Sequence, residues 1–202
     1  MKPAVEVQSI KFDLGNGAAI ELEYGDKPSS NRHCGSCSTC CRLLPIKELN
    51  KPGGVRCHHQ RLHQGGCCKV YGQEMAYPRS CAQWSCRWLV DPALALPRPD
   101  RSHYVIDVLP DFLQVEEQGG NRRQVPAVQI WVDPLHPDAH REPRLRAWIN
   151  TNAAATGMIA VIRDNTNPGP GLVLIPPVMT DQGQWIEREA ELGAGVGLWS
   201  GA

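Results

Sequence analysis

Cys34-Gly35-Ser36-Cys37-Ser38-Thr39-Cys40-Cys41 is a C-x2-C-x2-C-C run, and its reading decides how the chain folds. Successive thiols three residues apart on one turn-rich loop are close enough to converge on a single centre. The small residues between them let backbone N–H groups approach the sulfurs, which favours thiolate over thiol. An unbroken run of this kind is common in ferredoxin-type cluster ligation; closed zinc sites more often divide into two separated C-x2-4-C pairs. Cys40 and Cys41 are neighbours whose side chains point in different directions, so they either serve two centres or supply one ligand between them.

Outward from this run the cysteines continue at Cys57, Cys67, Cys68, Cys81 and Cys86, and none of the nine lies outside Cys34–Cys86. Residues 31–90 are dense in Cys, Gly and His and show little hydrophobic periodicity. Such a segment does not fold on apolar burial alone, so metal–ligand bonds are expected to supply much of its folding free energy. Disulfides are the competing reading, but they need an oxidising compartment and an even count. Cys57, Cys67 or Cys68, Cys81 and Cys86 join the first run to give eight thiolates, enough for two four-sulfur sites. Each site, as zinc or as a [4Fe-4S] cluster, would carry about −2. Residues 1–90 hold 12 Lys/Arg against 7 Asp/Glu, a positive excess that matches two such sites.

The flanks are more regular. Residues 1–30 alternate apolar and polar through Ile10, Phe12 and Leu14, then Ile20, Leu22 and Tyr24 after Gly15-Asn16-Gly17, which predicts a β-hairpin that packs against the Cys-rich region. Short helices are expected near Pro45–Asn50 and Pro78–Leu89. Beyond a Pro-rich linker at 96–100, strands are expected at His103–Leu109, Phe112–Glu116, Ala127–Val132, Met158–Arg163 and Gly171–Ile175. A helix begins at Pro143, carries Leu145, Trp148 and Ile149 at helical spacing and ends at Gly157. The predicted class is α+β: an N-terminal hairpin (1–30), a metal-stapled Cys-rich region with short helices (31–90), a small α+β layer (101–189) and a flexible Ala/Gly-rich tail (190–202).

Composition narrows the function. With 42% hydrophobic and 21% charged residues the chain is globular, and 19 Gly with 17 Pro disfavour a long helical bundle. Lys+Arg and Asp+Glu both number 21, which gives no reason to expect nucleic acid or an anionic membrane as partner. No apolar run spans a bilayer and the first residues lack a secretory h-region, so a cytoplasmic protein that meets a protein partner is expected.

From Cys34 to Leu89 the chain resembles the CxxCxxCC family of zinc- or iron-chelating proteins. The resemblance is carried by the C-x2-C-x2-CC run, Glu48-Leu49 and Lys51-Pro52 before Cys57-His58, Gly66-Cys67-Cys68-Lys69-Val70-Tyr71, Pro78-Arg79-Ser80-Cys81 and Trp84-Ser85-Cys86. It implies a ligand set of Cys34, Cys37, Cys40, Cys41, Cys57, Cys68, Cys81 and Cys86, leaving Cys67 as a free thiol. Two features depart from the pattern. Tyr77-Pro78 stands where the family has Arg-Pro, which removes an Arg that would neutralise the centre, and the segment Gly72–Ala76 is longer. A domain of this kind occurs in a flagellin lysine methylase as an iron–sulfur module, so the resemblance implies a chemistry without a substrate.

Other signals are weaker. His33, His58, His59 and His63 border the cysteines as candidate ligands or hydrogen-bond donors to thiolate, His58 foremost. Asp133-Pro134-Leu135-His136-Pro137-Asp138-Ala139-His140 gathers two His and two Asp that could form a separate metal or acid–base site, although Pro-rich loops also collect these residues as turn formers. Gly193-Ala194-Gly195-Val196-Gly197 lacks the strand, helix and basic residue of a phosphate loop. The function expected is a metal-binding protein holding an iron–sulfur cluster, [4Fe-4S] by preference, or zinc. A component of a larger assembly stiffened by metal or disulfides, and an enzyme using the cluster, are the alternatives.

Overall fold

A computed structural model describes residues 8–13, 19–24, 32–61, 68–70, 73, 76–116, 122–164 and 169–192. The fold is mixed α+β and rich in sheet. Strands β1 (Gln8–Asp13) and β2 (Ala19–Tyr24) pair antiparallel, with Ile10 opposite Leu22 and Phe12 opposite Ile20. The turn expected at Gly15–Gly17 lies outside the described residues, as do Cys67, Tyr71 and everything after Leu192.

The main sheet has five strands in chain order: β3 (Tyr104–Glu116), β4 (Arg122–Val132), β5 (Ile159–Arg163), β6 (Gly169–Ile175) and β7 (Ile186–Leu192). All neighbours are antiparallel except β4 and β5, which run parallel. A parallel pair needs a crossover, and helix α5 (Pro143–Thr156) lies within it. Pro143 occupies the first turn, the Glu142 carboxylate accepts from Leu145 N–H at 3.0 Å, and Gly157 closes the helix at φ 69°. Leu145, Ile149 and Ala153 form the buried stripe of α5.

Strand alternation then divides the core. Tyr104, Ile106, Val128, Ile130, Val132, Ala160 and Ile162 face α5 and are joined by Leu94 and Leu96. Val105 and Trp131, cross-strand partners on the opposite face, pack with Leu43 and Cys86 of the Cys-rich region. One sheet therefore carries a helix on one side and the cysteines on the other.

The sequence expectations require five corrections. The two strands expected between 103 and 116 are one, because Pro110 is accommodated by a register shift between Ile106 and Pro110. The segment read as a linker forms helix α4 (Pro99–Ser102), and Leu96 is buried in the core. The segment Pro45–Asn50 forms only a 3-10 turn at Lys47–Leu49, and Pro78–Leu89 divides into α2 (Arg79–Gln83) and α3 (Arg87–Val90). Residues 190–192, assigned to the tail, complete β7, a strand the sequence reading did not anticipate.

Candidate metal centre

The first loop is built as the spacing requires. Cys37 N–H donates to Cys34 C=O at 2.7 Å, turning the chain at Gly35, whose φ of 51° favours glycine. A Cβ there would also stand 3.5 Å from the Arg98 guanidinium. Helix α1 (Thr39–Leu43) follows and buries Leu43 against the sheet. The Thr39 hydroxyl lies 3.7 Å from the Cys37 sulfur.

Electrostatic contacts sort the eight candidate cysteines into two groups of four that meet at Cys40 and Cys41. Cys86 is pushed up to about 12 by burial, with the neighbouring Cys34 and Cys37 adding to the rise. Cys40 is raised by its hydrogen bond to Cys41 and by burial, and it lies within reach of Cys86 and Cys34. Cys81 is pushed up to about 12 by burial and then by Cys41, Cys57 and Cys68. The first group is thus Cys34, Cys37, Cys40 and Cys86, and the second is Cys41, Cys57, Cys68 and Cys81. Within the second, Cys57 N–H donates to Cys41 C=O at 3.1 Å, and a Gln60–Cys68 bridge brings the chain back. None of the eight forms a disulfide among the described residues.

Each group has a cation. Lys51 is buried and its ammonium donates to the carbonyls of Leu44, Pro52 (3.1 Å) and Arg42 (3.4 Å). Burial lowers its pKa, which Cys57, Cys41, Cys40 and Cys81 counteract. In return Cys41 falls to about 7, through the hydrogen bond from Cys40 against the penalty of burial, with Lys51 assisting. Arg98 lies near Cys37 and Cys34, held by Asp100 at 2.7 Å and donating to Ser36 Oγ at 2.9 Å. The charge expected from an Arg at position 77 is therefore supplied elsewhere. Lys51 was part of the motif order, but a lysine followed by proline gives no sign that it is buried.

Three sets of contacts hold the region in place, and the second of them reaches the sheet. The Arg32 guanidinium donates to the carbonyls of Trp88, Asp91, Pro92 and Leu94 at 2.8–3.1 Å and lies over the Trp88 ring at 4.9 Å. Trp84 Nε1 donates to Asp107 at 3.1 Å, and Cys86 bridges Asp107. Glu48 accepts from Ser80 N–H (2.8 Å) and Oγ–H (2.7 Å), holding the helix that carries Cys81. Trp131, packed beside Cys86 and Cys40, has a buried indole N–H without a partner among the described residues.

The histidines do not gather at the thiols as one set. His58 is exposed and its ring lies against that of His59, centroids 3.8 Å apart with the planes tilted by 50°; His33 is exposed, and His63 lies outside the described residues. Of the 133–140 cluster, Asp138 is exposed beside Arg141, and His140 is buried with Nδ1 2.8 Å from the Pro137 carbonyl. Arg141 and Arg146 pair with Glu187 of β7 at 3.1 and 2.6 Å.

No protein-family model, curated protein or solved structure matches this chain. Its chemistry is therefore argued from its own residues. Among the described residues no helix is long and apolar enough to cross a membrane.

Proposed function

We propose that the protein is a metal-binding protein that holds two iron–sulfur clusters, [4Fe-4S] by donor count, one in each cysteine quartet. The observation that carries this reading is the sorting of eight thiols into two fours, each with its own cation. The donor set fits the group: four thiolates per site is the ordinary ligation of such a cluster.

One further observation supports clusters. The unpartnered Trp131 N–H beside the first quartet is a buried donor of the kind that finds an acceptor in cluster sulfide. The CxxCxxCC order from Cys34 to Leu89 agrees with either metal. A role in electron transfer or in supporting a protein partner follows from this chemistry.

Protein purified without oxygen should be brown and should contain iron and acid-labile sulfide in comparable amounts, near eight of each per chain. A colourless preparation with two zinc ions per chain would overturn the cluster assignment and leave the ligand set standing.

A further inference from the structure

His103, Asp133 and His136 place their ligand atoms within 4.8 Å of one another at the end of the β3–β4 pair, outside the cysteine-bearing segment of the chain. Tyr104 is paired with Val132 in the sheet, so the residues just outside that pair, His103 and Asp133, are neighbours by register, and Asp133 N–H donates to His103 C=O at 2.9 Å. His136 follows in a tight turn, its N–H donating to Asp133 C=O at 2.7 Å. His103 ends α4 in the left-handed conformation, φ 63°, where glycine is usual.

The three side chains differ in mobility. Asp133 is buried; Arg42 pairs with Oδ2 and the Leu135 N–H donates to Oδ1 at 3.1 Å. Each oxygen keeps a lone pair, and the carboxylate is oriented much as outer hydrogen bonds orient a metal ligand. His103 is half-buried, while His136 is exposed, and their rings stack at 3.6 Å with planes 17° apart. All three residues line an open cavity of about 460 Å³, whose other walls include Thr39 and Arg42 of the first cysteine helix.

We infer that His103, Asp133 and His136 form a third metal site, for a divalent transition ion of the zinc, iron(II) or cobalt(II) type, with coordination positions open to the cavity. Two imidazoles and one carboxylate on one side of an ion are the donor set that suits these metals and leaves room for water or an exogenous ligand. Nearly parallel rings do not aim their nitrogens at one point, so binding turns the exposed His136 ring while Asp133 and His103 stay in place. This site is independent of the cluster assignment, because it uses none of the cysteines.

The test is titration of the anaerobically purified protein, cysteine-bound metal intact, with cobalt(II). The expected result is one additional saturable ion per chain whose visible bands lack thiolate charge transfer. His136→Ala should weaken that binding by at least about 100-fold, the upper range for loss of even an outer-shell partner, with iron and sulfide content unchanged. As His136 is exposed, that variant keeps the fold; Asp133→Asn serves as a second variant. Absence of an additional ion, thiolate bands, or equal affinity in His136→Ala would each overturn the inference.

Discussion

The Glu48 carboxylate receives both the backbone N–H and the hydroxyl of Ser80, 32 residues away. Burial tends to raise its pKa, but the two Ser80 bonds outweigh this and hold it below the usual carboxylate range. The pair locks the 3-10 turn before Lys51 onto the helix that carries Cys81. Glu48→Ala should lower stability by about 1–3 kcal/mol, as expected for hydrogen bonds to a charged group, read as a shift in urea midpoint. The lowered carboxyl stabilises the fold above its unfolded pKa near 4.3, and that contribution disappears as pH falls further. If Ser80→Ala and Glu48→Ala are fully additive in the double mutant, the pair does not act as described.

The quartets predict divisible metal loss. Cys86→Ser should reduce metal content by about half, as should Cys81→Ser, and the double mutant should lose nearly all of it. Cys67→Ser should retain full content, since the resemblance to the CxxCxxCC pattern assigns the ligand to Cys68, three residues before Tyr71. Equal and complete loss in either single mutant would mean that the eight thiols serve one centre.

Cys41 should be the most reactive thiol wherever the metal-free Cys-rich region is still folded, before loss of metal opens it. With its pKa near 7 it is about half ionised at neutral pH, whereas Cys81 and Cys86 near 12 are not. Alkylation followed by peptide mapping should show Cys41 labelled first, with a rate that rises between pH 6 and 8. Lys51→Met should move that rise to higher pH, because a nearby positive charge is gone.

His140 should make stability fall on mild acidification. Its ring is buried, burial lowers its pKa, and Arg146 and Arg141 add to the effect; its Nε2 has no partner. A lowered folded pKa means that the unfolded chain binds the proton more readily. Stability is therefore full above about pH 6.5 and declines as pH falls below it. Thermal midpoints from pH 7.5 to 5.5 should show this decline, and His140→Asn should flatten it. A midpoint that rises on acidification in this range contradicts the assignment.

Stripping the metal should uncover one face of the sheet only. Val105 and Trp131 lose the cover of Leu43 and Cys86, whereas the Leu145–Ile149–Ala153 stripe stays on the opposite face. Tryptophan emission should shift to the red, and proteolysis should remove residues 32–90 before β3–β7. A Cys-rich region as resistant after chelation as before would show that metal is not its staple.

Much of the sheet was legible because its strands obey local rules. Helix α5 carries its own start and stop at Pro143 and Gly157, and β4 to β6 are rich in branched apolar residues. Strand β7 was not legible: Ile186-Glu-Arg-Glu-Ala-Glu-Leu192 alternates, but Glu and Ala are poor strand formers, and pairing with β6 overrides that preference. The cysteine spacing gave reason to expect a centre, while the grouping of Cys86 with Cys34 and Cys37 and of Cys81 with Cys41, Cys57 and Cys68 depends on how the chain folds. His103 had no signal at all, since its nearness to Asp133 arises from strand register across an intervening β-ribbon.

The wall formed by Val105 and Trp131 also sets an order in time. Cys86 is synthesised before either residue of the surface that shelters it, and the interval to Trp131 lasts about 2–9 s at roughly 5–20 residues per second. Through that interval the thiols of the nascent chain have no sheet to close against. Their burial waits for β4, so pulse-alkylation of stalled chains should find Cys86 open until Trp131 has emerged and protected afterwards. The position of one tryptophan in the chain thus governs when the cysteines are exposed to oxidant during biosynthesis.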